Sequence, residues 1–126
     1  MRRGLFAFLF IFAGLVPAFA GDMVQSTLYF GLSRPDGGQV EEAQWQDFLA
    51  RDVTPRFPDG FTVVDGRGQW RDAKAVIISE ATKLLIIVHP LSDENTQAIS
   101  ELKAAYVKRF HQESVFQTDQ DVRVVE

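Results

Sequence analysis

Leu84-Leu85-Ile86-Ile87-Val88 is an unbroken apolar run, ended by His89 and Pro90. Successive side chains of a strand point to opposite faces, so a strand wetted on one side alternates apolar with polar residues. This run is apolar at both parities, which predicts a central strand covered on both faces. Upstream, Phe61 to Val64 reads as extended, and Asp65-Gly66-Arg67-Gly68-Gln69-Trp70-Arg71 continues it. Its two glycines signal a bulge or a close backbone approach. Ala75 to Ser79 is a short β-branched run, and Glu80-Ala81-Thr82 reads as a turn before the central strand. Downstream, Ser92 or Asp93 caps a helix whose apolar stripe is Ile99, Leu102, Tyr106 and Phe110. Ser114 to Thr118 and Val122 to Val125 close the chain as strand.

The preceding half supplies the remaining elements. From Met23 to Leu32, Val24, Leu28, Phe30 and Leu32 share one parity while Thr27 and Tyr29 take the other, a strand pattern. Ser33-Arg34-Pro35-Asp36-Gly37-Gly38 is a loop. Trp45, Phe48, Leu49 and Val53 then recur at helical spacing, predicting a helix from about Glu41 to Val53, stopped by Pro55. The order β-α-β-β-α-β is the ferredoxin-like α+β arrangement: one antiparallel sheet with both helices on one face. Two helices leave the second face of the sheet bare. Its expected cover is a second copy packed sheet to sheet, a homodimer forming a dimeric α+β barrel. The alternative cover is the Ala75–Ser79 segment or the C-terminal strand folded across it.

Residues 1–20 carry the signs of a secretory leader. Arg2-Arg3 precedes the uncharged apolar stretch from Gly4 to Val16, followed by Pro17 and Ala18-Phe19-Ala20. The stretch is shorter than the roughly 20 residues a membrane span needs. Cleavage between Ala20 and Gly21 would release residues 21–126 as a single α+β domain in the periplasm or the medium, with no stable membrane anchor. Two of the 13 basic residues belong to the leader, leaving 11 against 17 acidic ones, a net charge of about −6. That balance disfavours a nucleic-acid or anionic-membrane partner. The chain has no cysteine, which excludes disulfides, thiolate metal sites, a cysteine nucleophile and an acylated lipoprotein cysteine.

Few residues signal chemistry. His89 closes the central strand, a good place for a general acid or base, and is the catalytic candidate. The plainer reading is a structural histidine. His89 and His111 form no close pair or H-x-x-x-H pattern, so neither metal nor cofactor is expected. Gly66-Arg67-Gly68 lacks the third glycine and the βαβ unit of a nucleotide loop, Arg71 standing where that glycine would fall. Arg67, Trp70 and Arg71 around this kink form a carboxylate- or ring-binding candidate, with Tyr29. The plainer reading pairs the arginines with Asp65, Asp72 or Glu80.

Several segments together resemble a known family: Ser26-Thr27-Leu28-Tyr29-Phe30-Gly31-Leu32, Thr54-Pro55-Arg56-Phe57-Pro58-Asp59-Gly60, Gly68-Gln69-Trp70-Arg71, Val88-His89-Pro90 and Arg109-Phe110-His111-Gln112-Glu113-Ser114-Val115. The mature chain is similar over nearly its whole length to the bacterial exported proteins catalogued as domain of unknown function 3574. The resemblance implies export and carries no activity. Arg56 falls in these segments too, fixed between Pro55 and Pro58, either as a ligand-binding arginine or as a staple to a carboxylate. Three functions remain open: a module binding a small organic anion or aromatic ligand without catalysis, an envelope protein–protein interaction accessory, and a cofactor-independent isomerase, lyase or oxygenase of the dimeric α+β barrel type.

Overall fold

The computed structural model describes residues 23–126. The leader and its cleavage point lie outside the described residues. Four strands, β1 (Met23–Gly31), β2 (Thr62–Arg71), β3 (Ile77–Pro90) and β4 (Phe116–Val122), form one antiparallel sheet in the order β2-β3-β1-β4. The helical elements are α1 (Glu42–Phe48), a π-helical segment (Leu49–Val53), α2 (Thr54–Arg56) and α3 (Asp93–Phe110). The first three run on without a break and pack beside α3 on one face of the sheet. This is the expected ferredoxin-like topology, with β1 and β3 central, and the sheet is not closed into a barrel.

The core lies between sheet and helices. β1 contributes Leu28 and Phe30, β3 contributes Leu85 and Ile87, the first helical stretch Trp45, Phe48 and Val53, and α3 Ile99, Leu102, Tyr106 and Phe110. Phe30, Trp45, Phe48 and Tyr106 form a cluster of rings at centroid distances of 4.7–6.2 Å. Ser92 caps α3 by accepting from the Asn95 N–H at 3.1 Å.

Two boundaries differ from the sequence expectation. Pro55 does not stop the first helical stretch, which continues to Arg56. The Thr54 N–H reaches back to the Leu49 carbonyl, a π turn that shifts the ladder by one residue. Pro55 thus enters at the start of a new turn, where no donor is required. Nor is there a turn at Glu80-Ala81-Thr82: β3 runs unbroken from Ile77, and the hairpin turns at 72–76. There the Asp72 carboxylate accepts from the Lys74 N–H at 2.8 Å and the Val76 N–H at 2.9 Å, with Ala75 left-handed at φ 64°. The β2–β3 pairing is regular through Gly66 and Gly68, so the glycines mark no bulge. They serve close approach: a Cβ at either would lie 3.2 Å from the Leu84 or Thr82 side chain.

The second face of the sheet stays open. Ala75–Ser79, expected as one cover for it, instead leads into β3 in the plane of the sheet, and β4 is an edge strand. Among the described residues nothing lies across Tyr29, Leu84 and Ile86, and Val88 and Phe116 are exposed at 42% and 66%.

Candidate functional site

The helix-facing parity of β3 runs Leu85, Ile87, His89, so the histidine is turned inward where the core thins out. Its ring is buried, with polar partners at both nitrogens. Nδ1 lies 2.8 Å from the Pro90 carbonyl oxygen, and Nε2 lies 2.8 Å from Ser26 Oγ on β1. A carbonyl can only accept, so Nδ1 carries the proton. In the neutral ring Nε2 is then the acceptor, and the Ser26 hydroxyl donates to it. The Asn95 side-chain amide donates to the same Pro90 carbonyl at 2.9 Å, tying this arrangement to the first turn of α3.

Ser26 and His89 line a cavity of about 170 Å³ between α3 and the β4 side of the sheet. Its apolar wall is Val24, Leu91 and Ile99. Thr96, Ser100 and Lys103 enter from one stripe of α3, and Gln117 and Asp119 from β4. Asp119 pairs in register with Ser26, which puts its carboxylate on the helix side of the edge strand. Among the described residues, no three His, Cys, Asp or Glu side chains are grouped so as to hold a metal ion.

The other candidates lie elsewhere. Arg56 donates to the Asp52 carbonyl at 3.0 Å and to Glu101 at 3.4 Å. Arg109 reaches Asp52 at 2.7 Å and Asp47 at 3.6 Å. Together they form a charge network that ties the first helical stretch to α3. Tyr29 is on the open face with its ring 5.4 Å from that of Phe116. Arg67, Trp70 and Arg71 belong to the far end of the β2–β3 hairpin, all exposed. Trp70 and Arg71 are adjacent in a regular strand, so their side chains leave on opposite faces. His89 and Arg71 are also far apart: Arg71 pairs with Ile77, at the opposite end of β3 from His89.

Trp70 Nε1 donates to Glu80 Oε1 at 3.1 Å, and the Ser33 N–H donates to Glu80 Oε2 at 3.0 Å. The carboxylate lies over Gly31, where a Cβ would sit 2.7–2.9 Å from it. Lys83 is another group that sequence reasoning missed. Buried on the helix side, it donates to Asp65 at 2.6 Å and Glu42 at 2.8 Å. These two hydrogen bonds hold its ammonium above the usual lysine range, and Lys83 in turn holds the Glu42 carboxyl below its own. Ser26 was also missed as a site residue. Its only sequence signal is a polar residue at the buried parity of an otherwise apolar strand.

With this geometry in view, the likenesses to solved structures concern the fold. The chain is similar to a phage SAM lyase in complex with S-methyl-5'-thioadenosine, with a TM-score of 0.65 and 22% identity over 86% of this chain and 88% of that one. It is similar to a phage SAM lyase in the apo state, with a TM-score of 0.62 and 20% identity over 92% and 90%. CutA from Synechococcus elongatus PCC7942 shares the fold more distantly, with a TM-score of 0.52 and 9% identity over 82% and 79%. No helix among the described residues is long and apolar enough to cross a membrane. No curated protein gives a significant sequence match. The model of the family described as "Protein of unknown function (DUF3574)" matches residues 25–125, nearly all of the described domain, and the chain belongs to that family.

Proposed function

We propose that the mature domain acts outside the cytoplasm as a cofactor-independent enzyme of the lyase or isomerase class, with His89 as its acid–base group. The observation that carries this reading is the ring's setting in the cavity: a protonated Nδ1 anchored on a carbonyl and an acceptor Nε2 beside Ser26. An anchored imidazole whose second nitrogen is unprotonated is what proton abstraction next to a carboxylate or carbonyl needs. For the ring to act, the substrate's acidic hydrogen takes the place that the Ser26 hydroxyl holds on Nε2.

The likeness to the phage lyase lends the class some support as analogy of fold. Its adenine-bearing ligand does not carry over to this cavity. Pockets for drug-sized ligands run to ~300–1,000 Å³, and this one has about 170 Å³. The substrate is a much smaller molecule.

The protomer's partner in this reading is a second copy on the open sheet face, the homodimer of the dimeric barrel. Four strands spaced ~4.8 Å apart, over seven residues at ~3.3 Å each, span ~440 Å² of sheet. Gln25, Thr27, Thr118 and Gln120 share it with the apolar side chains, and exposed apolar patches of a few hundred Å² on soluble proteins mark interaction surfaces. Tyr29, Leu84, Ile86, Val88 and Phe116 share this face, and Glu80, held by Trp70 and the Ser33 N–H toward the hairpin end, is the charged residue at its strand positions. In a chain of net charge about −6 after leader removal, the part of this face away from Glu80, around Tyr29, Ile86, Val88 and Phe116, is where two copies can meet with least repulsion. Tyr29 then serves assembly, and Arg56 the pairing of the helices.

The test of the catalytic reading needs no known product. Residues 21–126 are incubated in D₂O with small 2-hydroxy, 2-oxo, 2-amino and dicarboxylic acids, and proton NMR follows deuterium entering the carbon beside the carboxylate. The expected result is exchange with at least one acid, abolished in His89→Gln. Absence of exchange across all four classes would count against acid–base chemistry at His89.

A further inference from the structure

The cavity has a charge at each side. Lys103 comes from α3 and Asp119 from β4. Both line the same space, yet they form no ion pair with each other, and Lys103 pairs with no carboxylate among the described residues. The Asp119 carboxylate has one oxygen occupied by the Gln117 amide at 2.9 Å. Elsewhere on this protein an exposed carboxylate and a nearby cation close on each other: Asp36 on Arg34, Asp47 on Arg51, Asp65 on Lys83. Lys103 and Asp119 line one cavity from different elements and do not close on each other.

We propose that this cavity takes a small zwitterion, an α-amino acid with a short side chain, with its carboxylate on Lys103 and its ammonium on Asp119. Opposite charges across a gap match a molecule that carries both. A simple anion would leave Asp119 facing it, and a simple cation would face Lys103. Size agrees. At about 30 Å³ for each water, 170 Å³ holds the equivalent of about six waters, the scale of a three- to five-carbon amino acid. Thr96, Ser100 and Gln117 offer hydrogen bonds along the rim, while Val24, Leu91 and Ile99 suit a short apolar side chain. The inference rests on reading this cavity as the substrate site, and it names the substrate class.

The test is amide NMR titration of residues 21–126 with L-alanine, L-serine, propionate and methylammonium. Expected are saturable shifts at Val24, Ser100 and Gln117 with both amino acids, and binding at least tenfold weaker for propionate and methylammonium. Lys103→Met should weaken alanine binding at least tenfold. Asp119→Asn should do the same while leaving propionate binding unchanged or tighter. Both variants change residues at the cavity rim, and circular dichroism checks that they fold. The proposal is overturned by no saturable shift at the cavity, by propionate binding as tightly as alanine, or by Asp119→Asn without effect. Amino-acid binding with no deuterium exchange would keep this inference and remove the catalytic reading. Exchange into other acids, with no amino-acid binding, would do the reverse.

Discussion

Tyr106 shows how single residues tie this domain together. Its hydroxyl donates to the Gly31 carbonyl at 2.6 Å within the core, and burial pushes the phenol well above its ordinary range. An unfolded phenol ionises near 10, so the folded state holds a proton that the unfolded chain releases. Stability is therefore flat below about pH 10 and falls as pH rises past it. Lys83 acts in the same direction, since its raised ammonium contributes stability that is lost once pH climbs through its elevated folded value. Thermal melts should be level from pH 7 to 9 and drop above 10. Tyr106→Phe should cost about 1 kcal/mol at pH 7 and flatten the alkaline fall. Gly31→Ala should displace the Glu80 carboxylate and free the Trp70 indole, read as a red-shifted tryptophan emission. At this scale the sequence exposed His89, because a histidine that closes an apolar strand before proline is conspicuous. It could not expose the pairing with Ser26, 63 positions away, nor the opposite facing of Trp70 and Arg71, which depends on strand register.

The β2–β3 hairpin is the element whose reading went furthest astray, and the cause is local. Gly and Pro are the usual turn markers, and Asp72-Ala73-Lys74-Ala75-Val76 contains neither. The turn is made instead by the Asp72 carboxylate, which bonds two backbone N–H groups, while Ala75 takes the left-handed position. The polar break at Glu80-Ala81-Thr82 then looked like a turn, though Glu80 and Thr82 are strand residues with partners of their own. Asp72→Ala should therefore cost about 1–2 kcal/mol and raise hydrogen exchange at Lys74 and Val76, whereas Ala75→Gly should be neutral or stabilising. The helices were more legible, because their stripes repeat over several turns: Trp45, Phe48 and Val53, then Ile99, Leu102, Tyr106 and Phe110, are all buried. Phe48→Ala, which opens the ring cluster, should cost about 3–5 kcal/mol in chemical denaturation.

For the molecule as a whole, the apolar run of β3 carries the most weight. Leu85 and Ile87 fill the core, and Leu84, Ile86 and Val88 line a face that the described chain leaves uncovered. The sequence could show that a cover was needed; the strand order shows which residues need it. In the proposed homodimer, Val88→Asp should leave the fold intact and shift sedimentation from dimer to monomer. A wild-type monomer at tens of micromolar would end that assignment. The catalytic proposal stands on the His89 ring, with Nδ1 donating to the Pro90 carbonyl and Nε2 turned to Ser26, and the ligand proposal on Lys103 and Asp119 in the same cavity. The most direct test is the nitrogen-15 NMR spectrum of the neutral His89 ring, taken with and without L-alanine. The account predicts the Nδ1-protonated tautomer, with an Nε2 resonance that moves as the amino acid binds. An Nε2-protonated ring, or an Nε2 signal indifferent to every small acid, would contradict it.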